Sequence, residues 1–242
     1  MLDLLDLPTK IYADGADIET IRRLAENPLV QGFTTNPSLM RKAGVTDYRR
    51  FAQEVLEAAA GKPVSLEVLA DELPEMGRQA RAIASWGHNA WVKIPITNTR
   101  GESTERLILD LLQEGLAINV TALMRVGQIP ILPMHHGYNQ GPLILSVFAG
   151  RIADTGRQPE QFVAEFIACM RRVPDTRILW ASPRQPYDLF RAAAVGCHLI
   201  TLFPQMIDKL ATVNKDLREF SLETVRMFYD DSRGISFEGA GE

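Results

Sequence analysis

The chain has 242 residues, 46% hydrophobic and 23% charged, with 26 basic against 30 acidic side chains for a net charge of −4. Surface scaling for a protein of 27.0 kDa buries roughly 70% of what the unfolded chain exposes, so a sizeable core forms without disulfides or metal. The composition excludes wholesale disorder, no basic excess points to nucleic acid or an anionic membrane, and no apolar run approaches the ~18 residues of a spanning helix.

The start, MLDLLDLPTK, carries Asp3 and Asp6 in place of a basic segment and an apolar core, so a signal peptide is not expected. Two cysteines, Cys169 and Cys197, make neither a disulfide framework nor a Cys-rich zinc site and read as small buried apolar residues. A soluble, reduced, cytoplasmic protein is expected.

Along the chain, short β-branched runs alternate with longer helical stretches. The strand candidates are KIYAD (10–14), GFTTN (32–36), VSLEV (64–68), AWVKIPI (90–96), AINVTAL (117–123), LILSVFA (143–149), RILWAS (177–182) and CHLITLF (197–203). Apolar residues at three-to-four spacing predict helices over 48–60, 73–86, 102–114 and 159–173, the last opened by Pro159. Strands separated by helices run parallel through crossover connections. Eight such units in about 250 residues predict an α/β fold, a (β/α)8 TIM barrel. An open doubly wound sheet competes, but it would usually carry a Gly-rich first turn, and here the first strand runs into Asp14-Gly15-Ala16-Asp17. A single domain over 1–242 is expected, with an additional C-terminal helix over about 213–229 and a frayed tail over 232–242.

The fifth unit breaks the pattern. Between NVTALM and the sixth strand, residues 125–142 carry Pro130, Pro133, Gly137 and Pro142 where a helix should lie. Interior proline costs about 3 kcal/mol in a helix, so this stretch should be short, kinked or irregular, leaving the layer outside strands five and six poorly covered. His135 and His136 have no acidic or Cys partner at ligand spacing, so they read as part of a polar loop and no metal site is expected.

In such a barrel the active site lies at the carboxyl ends of the strands. By the two-residue period, Thr34 and Asn36 share a face, as do Ser65 and Glu67, Asn119 and Thr121, and Ser146 and Phe148. Asp14 ends the first strand, Ser182 the seventh, and Arg151 and Arg184 lie just beyond the sixth and seventh. Lys93, between Trp91, Val92, Ile94 and Pro95, stands out. Burial disfavours a charged ammonium, and a neutral amine is what attack on a carbonyl requires. A snorkelling lysine or a buried ion pair with Glu67 would also explain it. Asp14 and Glu67 are candidate acid/base groups, although Asp before Gly is common in turns and Glu67 needs a partner in either case. Arg151 and Arg184, each unremarkable alone as a surface arginine, make an anion site when set beside Ser182.

Several segments in order, IYADGAD, GFTTNPSLM, SLEV, WVKIPIT, NVTALM, SVFAGRIAD and ASPR, resemble the transaldolase family, including its small fructose-6-phosphate aldolase-like members. The resemblance implies a Schiff-base enzyme without metal or organic cofactor, acting on ketose and aldose phosphates, with no nucleic acid or membrane partner and a homo-oligomeric state. It implies catalytic roles for Lys93 (imine), Asp14 (proton transfer) and Glu67 with Thr121 (the water). It implies substrate binding by Thr34, Asn36, Asn119, Ser146 and Phe148, and phosphate binding by Arg151, Ser182 and Arg184. Glu67 and Phe148 match the transferase type, whereas the aldolase type tends to have Gln in the third strand and a Tyr that activates water. The pentose phosphate pathway is the expected setting, with a specialised biosynthetic sugar as an alternative, and an idle sugar-phosphate-binding barrel as the rival from another class. Residues 125–142 depart from the family pattern, as a genuine variant loop or a short compensated frameshift.

Overall fold

The computed structural model describes residues 3–135 and 140–235. Eight parallel strands are present: β1 (Lys10–Asp14), β2 (Val30–Thr34), β3 (Val64–Glu67), β4 (Ala90–Pro95), β5 (Ile118–Leu123), β6 (Leu143–Val147), β7 (Thr176–Trp180) and β8 (Leu199–Leu202). They pair in sequence order and β1 returns to pair with β8, which closes the barrel. The crossovers carry α1 (Ile18–Ala25), α2 (Pro37–Lys42), α3 (Tyr48–Ala58), α4 (Leu73–Ala84), α5 (Glu105–Gln113), α6 (Leu132–His135), α7 (Ala149–Asp154), α8 (Pro159–Met170) and α9 (Asp188–Ala194). After β8 come α10 (Pro204–Lys209) and α11 (Leu217–Ser232). This is the predicted (β/α)8 TIM barrel with its additional C-terminal helix.

The two-residue period sorts each strand between two apolar regions. Outward residues such as Val64, Leu66, Val92, Ile94, Val120, Leu145 and Ile200 pack under the helices. Inward residues Tyr12, Ile144, Leu179, Ala181 and Leu199, with Trp91 and Phe148 against them, form a separate cluster inside the barrel. Gly32 faces the Tyr12 ring, where a Cβ would lie 2.6–2.8 Å from ring carbons, so only glycine lets that ring fill the barrel. The interior below the polar side chains is therefore packed, which forces the chemistry to one end.

Helix starts follow capping chemistry. The Asp17 and Asp47 carboxylates accept the Thr20 and Arg50 amides at the N-termini of α1 and α3. Strand β2 ends at Thr34, two residues before the predicted end, because the Asn36 side chain turns to cap α2 by accepting the Leu39 amide.

The proline-rich fifth unit is irregular, as its composition predicts: among the described residues, a 3₁₀ turn (Val126–Gln128) and the four-residue α6 stand where a full helix would lie. The expectation of poor cover is corrected. Ile129 and Leu132 are buried against the core. Glu105, itself only 3% exposed, accepts the Ile131 and Leu132 amides through Oε1 at 3.0 and 3.1 Å. A buried carboxylate on α5 thus anchors the variant segment. His135 lies in α6 and not in the expected polar loop; His136 lies outside the described residues, as does the predicted frayed tail beyond Ile235. Cys197 is buried as expected, but Cys169 is exposed, because it falls on the outer side of α8. Among the described residues no helix is long and apolar enough to cross a membrane, and no group of three or more His, Cys, Asp or Glu is arranged to hold a metal ion.

Candidate active site

Lys93 sits inside β4 and points into the barrel, where its side chain is 8% exposed. Parallel register places Glu67 beside it on β3 and Asn119 beside it on β5. Lys93 Nζ lies 3.0 Å from Glu67 Oε2 and donates to the Thr35 carbonyl at 2.9 Å. The buried ion pair considered from the sequence is present. Tyr48, on α3, donates to the Glu67 carbonyl at 2.8 Å and fixes the end of β3. Burial pushes the Tyr48 phenol up, with the Glu67 charge adding to it.

Asp14 ends β1 as read from the sequence. Its carboxylate accepts from Thr34 Oγ1 at 2.8 Å and from Asn36 Nδ2 at 3.3 Å. Burial pushes its pKa up; the Lys93 charge and the two hydrogen bonds pull against that, and the Glu67 charge reinforces it. Two carboxylates and one amine therefore share one electrostatic environment at the carboxyl end of the barrel.

Across the floor of this site, Asn119 Nδ2 donates to Ser65 Oγ at 2.9 Å and its Oδ1 accepts from Ser146 Oγ at 2.7 Å. All three residues are buried, so the Asn119 amide is held in one orientation. Thr121 is also buried, and its Oγ1 has no hydrogen-bond partner among the described residues. A buried hydroxyl left unpaired costs about 1–3 kcal/mol, a cost retained here at a site-facing position. The next residue, Ala122, holds a left-handed φ of +64°, and Ser182 at the end of β7 one of +59°. One of these follows Thr121 and the other is Ser182 itself; Ala60, Asp175 and Asn214, away from the site, share the conformation.

On the β6–β7 side, Ser182 and Arg184 come together: Arg184 Nη1 donates to Ser182 Oγ at 3.1 Å. The guanidinium is also held by Asp154 through Nε at 2.9 Å and through Nη2, and these bonds keep the Asp154 carboxyl below the usual carboxylate range. The buried Asp188 accepts the Arg184 amide at 2.7 Å. Gly150 makes the approach of α7 possible, since a Cβ there would fall 1.6 Å from the Ser182 carbonyl oxygen. Arg151 is exposed on α7, near enough for its charge to act on Asp154. Phe148 caps the start of α7 and packs against the barrel-interior cluster. A cleft of about 760 Å³ between α1, α2 and α3 reaches Asp14 but is not lined by Lys93, Glu67 or either arginine. The side-chain geometry, not that cleft, locates the site.

All twelve residues singled out from the sequence thus lie on the strands or just past their carboxyl ends. Four contributors were not singled out there. Thr201, on β8, is 2.7 Å from Thr34 Oγ1, and the same two-residue parity marks it as inward-facing. Tyr48 and Asp154 lie on helices and meet partners 19 and 30 residues away in sequence, whereas Asp188 opens α9 four residues after Arg184.

Fold and site together define a (β/α)8 barrel with an interior lysine set beside two carboxylates and a separate edge that carries Ser182 and two arginines. The chain belongs to the family described as Transaldolase/Fructose-6-phosphate aldolase, whose model matches residues 11–238. It is 32% identical over 194 residues to a probable transaldolase of Dehalococcoides mccartyi, covering 80% of this chain and 86% of that one. To a probable transaldolase of Streptococcus equi subsp. zooepidemicus it is 33% identical over 214 residues, covering 85% and 93%. Among solved structures, the orotidine 5'-monophosphate decarboxylase of Metallosphaera sedula superposes with a TM-score of 0.56 at 13% identity, covering 87% of this chain and 98% of that one. A putative dihydrodipicolinate synthase family protein of Coccidioides immitis gives 0.56 at 12% identity, covering 92% and 78%. At such identities these two likenesses speak for the fold alone.

Proposed function

We propose that this protein is a transaldolase that transfers a dihydroxyacetone unit from a ketose phosphate to an aldose phosphate through an imine on Lys93. The observation that carries the reading is the position of Lys93 Nζ, inside the barrel and 3.0 Å from the Glu67 carboxylate, with Asp14 under its charge. Lys93 gives up a proton and attacks C2 of the donor, and water leaves to form the iminium. Asp14 takes the C4 hydroxyl proton. The C3–C4 electron pair then moves into the iminium, the aldose phosphate departs as an aldehyde, and an enamine stays on Lys93. An acceptor aldehyde receives the C3 carbon, Asp14 returns the proton to the new hydroxyl, and water hydrolyses the iminium.

Glu67 and Thr121 hold that water; the unpartnered Thr121 hydroxyl supports this role. Asn36 and Asn119 bind the dihydroxyacetone hydroxyls, with Thr34 and Ser146 ordering them. Ser182, Arg184 and Arg151 take the phosphate. The chemistry needs no metal or organic cofactor, because the iminium is the electron sink.

Phe148 favours transfer over release of free dihydroxyacetone, because a phenyl ring at the barrel interior cannot orient water against the enamine. Phe148→Tyr is expected to raise free dihydroxyacetone release from fructose 6-phosphate relative to transfer. An unchanged ratio contradicts this role.

We also propose a homo-oligomer acting in the cytoplasm, in the pentose phosphate pathway. For the assembly, the support is α11, which buries no residue and exposes Leu217, Phe220, Leu222, Val225, Phe228 and Tyr229. Such a face on a soluble enzyme suits another copy of the chain. Deleting residues 214–242 is expected to reduce the particle mass measured by light scattering; an unchanged subunit number contradicts the assignment of α11.

The function is tested by transfer from fructose 6-phosphate to erythrose 4-phosphate. Wild-type turnover that is lost in Lys93→Ala supports the proposal. Binding of both sugars without turnover would instead favour a sugar-phosphate-binding barrel.

A further inference from the structure

Thr201 reaches the candidate acid/base carboxylate through one intermediate hydroxyl. It lies on β8, paired in register with Tyr12 of β1, and is 5% exposed. Its Oγ1 is 2.7 Å from Thr34 Oγ1, which is 2.8 Å from Asp14 Oδ1. Each hydroxyl has one proton to give. An ionised carboxylate only accepts, so the Thr34 proton points at Asp14, and the contact between the two threonines must be filled by the Thr201 proton. The donors then run one way, from Thr201 to Thr34 to Asp14.

Protonation of Asp14 breaks this order. A proton on Oδ1 would have to turn Thr34 around to donate to Thr201, whose own proton would then need another acceptor. Among the described residues, Thr201 Oγ1 has no second hydrogen-bond partner. A proton on Oδ2 would meet the Asn36 amide group, which already donates there at 3.3 Å. These hydrogen bonds therefore favour the proton-accepting form of the carboxylate over the protonated one.

We propose that Thr201 is a positioning residue that, through Thr34, holds Asp14 ready to accept the proton released in carbon–carbon cleavage. The inference rests on Asp14 as the proton-transfer group proposed above. The groups that face Asp14 are Lys93 from β4, Glu67 from β3, Thr34 and Asn36 from β2 and the turn after it, and the Thr201 hydroxyl from β8 behind Thr34. Asp17 on the same turn is exposed and occupied in capping α1. Burial works against ionisation and the hydrogen bonds offset it, so Thr201 supports the weaker side of a balance.

The test is the pH dependence of kcat for fructose 6-phosphate cleavage in wild type, Thr201→Val, Thr201→Ala and Thr201→Ser. Removing one hydroxyl from the chain is expected to move the acid limb up by about half a pH unit, a roughly threefold loss of rate below it. Thr201→Ser is expected to restore the wild-type limb. Borohydride trapping of dihydroxyacetone on Lys93, run in parallel, should be unchanged in every variant. A limb that does not move in both Val and Ala variants, or that Ser fails to restore, overturns the role of Thr201. Loss of trapping in the wild type overturns the reading of the site itself, and this inference with it.

Discussion

Lys93 Nζ and Glu67 Oε2 are 3.0 Å apart, with side chains only 8% and 16% exposed. Breaking such a pair leaves a charge stranded in a poorly solvated place, at a cost of up to about 3–5 kcal/mol, whereas neutralising both partners is cheaper. Lys93→Met is therefore expected to lower Tm markedly, and Lys93→Met/Glu67→Gln to recover part of that loss. Thermal melts of the two variants check this; a double variant no more stable than the single one contradicts it.

Glu67→Gln keeps the shape of the side chain and removes its basicity. Loss of a general acid/base group typically costs about 10²–10⁴-fold in rate. A kcat reduction in that range is expected in the transfer assay, with imine formation the slowed step in stopped-flow measurements. Unchanged kcat would remove Glu67 from the mechanism.

Asp14 gives a stability prediction whose sign runs against intuition. Its pKa in the folded protein lies above the ordinary carboxylate value, because burial outweighs Lys93, Thr34 and Asn36. The native state therefore holds the proton more tightly than the unfolded chain does. Its contribution to stability is fullest below the unfolded pKa and is lost as pH rises through the folded one. Asp14→Asn is expected to abolish transfer while raising Tm at pH 8, the gain shrinking as pH falls towards 4. A variant less stable than wild type at pH 8 contradicts this.

At the opposite edge, Arg184 is held by Asp154, and its Nη1 is shared with Ser182. Hydrogen bonds to charged groups contribute about 1.5–3 kcal/mol, which corresponds to about 10- to 100-fold in binding. Arg184→Ala is expected to raise KM for fructose 6-phosphate by that factor and leave trapping of unphosphorylated dihydroxyacetone unaltered. Equal losses with both compounds would place Arg184 outside a phosphate site.

Glu105 holds two amides of the segment that replaces the fifth helix. Glu105→Ala leaves both unpaired in a buried place, at about 1–3 kcal/mol each, and should lower Tm by several degrees. Glu105→Gln keeps the accepting oxygen and should lose much less. Equal melting points for Ala and wild type would contradict the anchoring role.

The barrel was legible in the sequence because the strands are short and β-branched and most of the gaps between them carry amphipathic helices. The second strand slipped by two residues because Gly32, which looks like a strand boundary, lies mid-strand under the Tyr12 ring. Prolines announced the irregular fifth unit, but Glu105 as its anchor was not legible, since the contact spans 26 residues and joins two different elements. The inward polar residues were legible from parity together with the family motifs. Thr201 obeys the same parity, but β8 is otherwise apolar and carries no further mark of a site. Asp154 and Asp188 are ordinary surface-type acids in sequence, and only the turn of the chain after β7 brings them to Arg184.

The most direct measurement is borohydride reduction of the protein with fructose 6-phosphate, followed by peptide mass mapping. A stable adduct is expected on the peptide containing Lys93, absent from Lys93→Ala. Lys62, held by the Ala25, Asn27 and Val30 carbonyls, should stay unmodified. No adduct with any of a panel of ketose phosphates, or an adduct on another lysine, would contradict imine formation at Lys93.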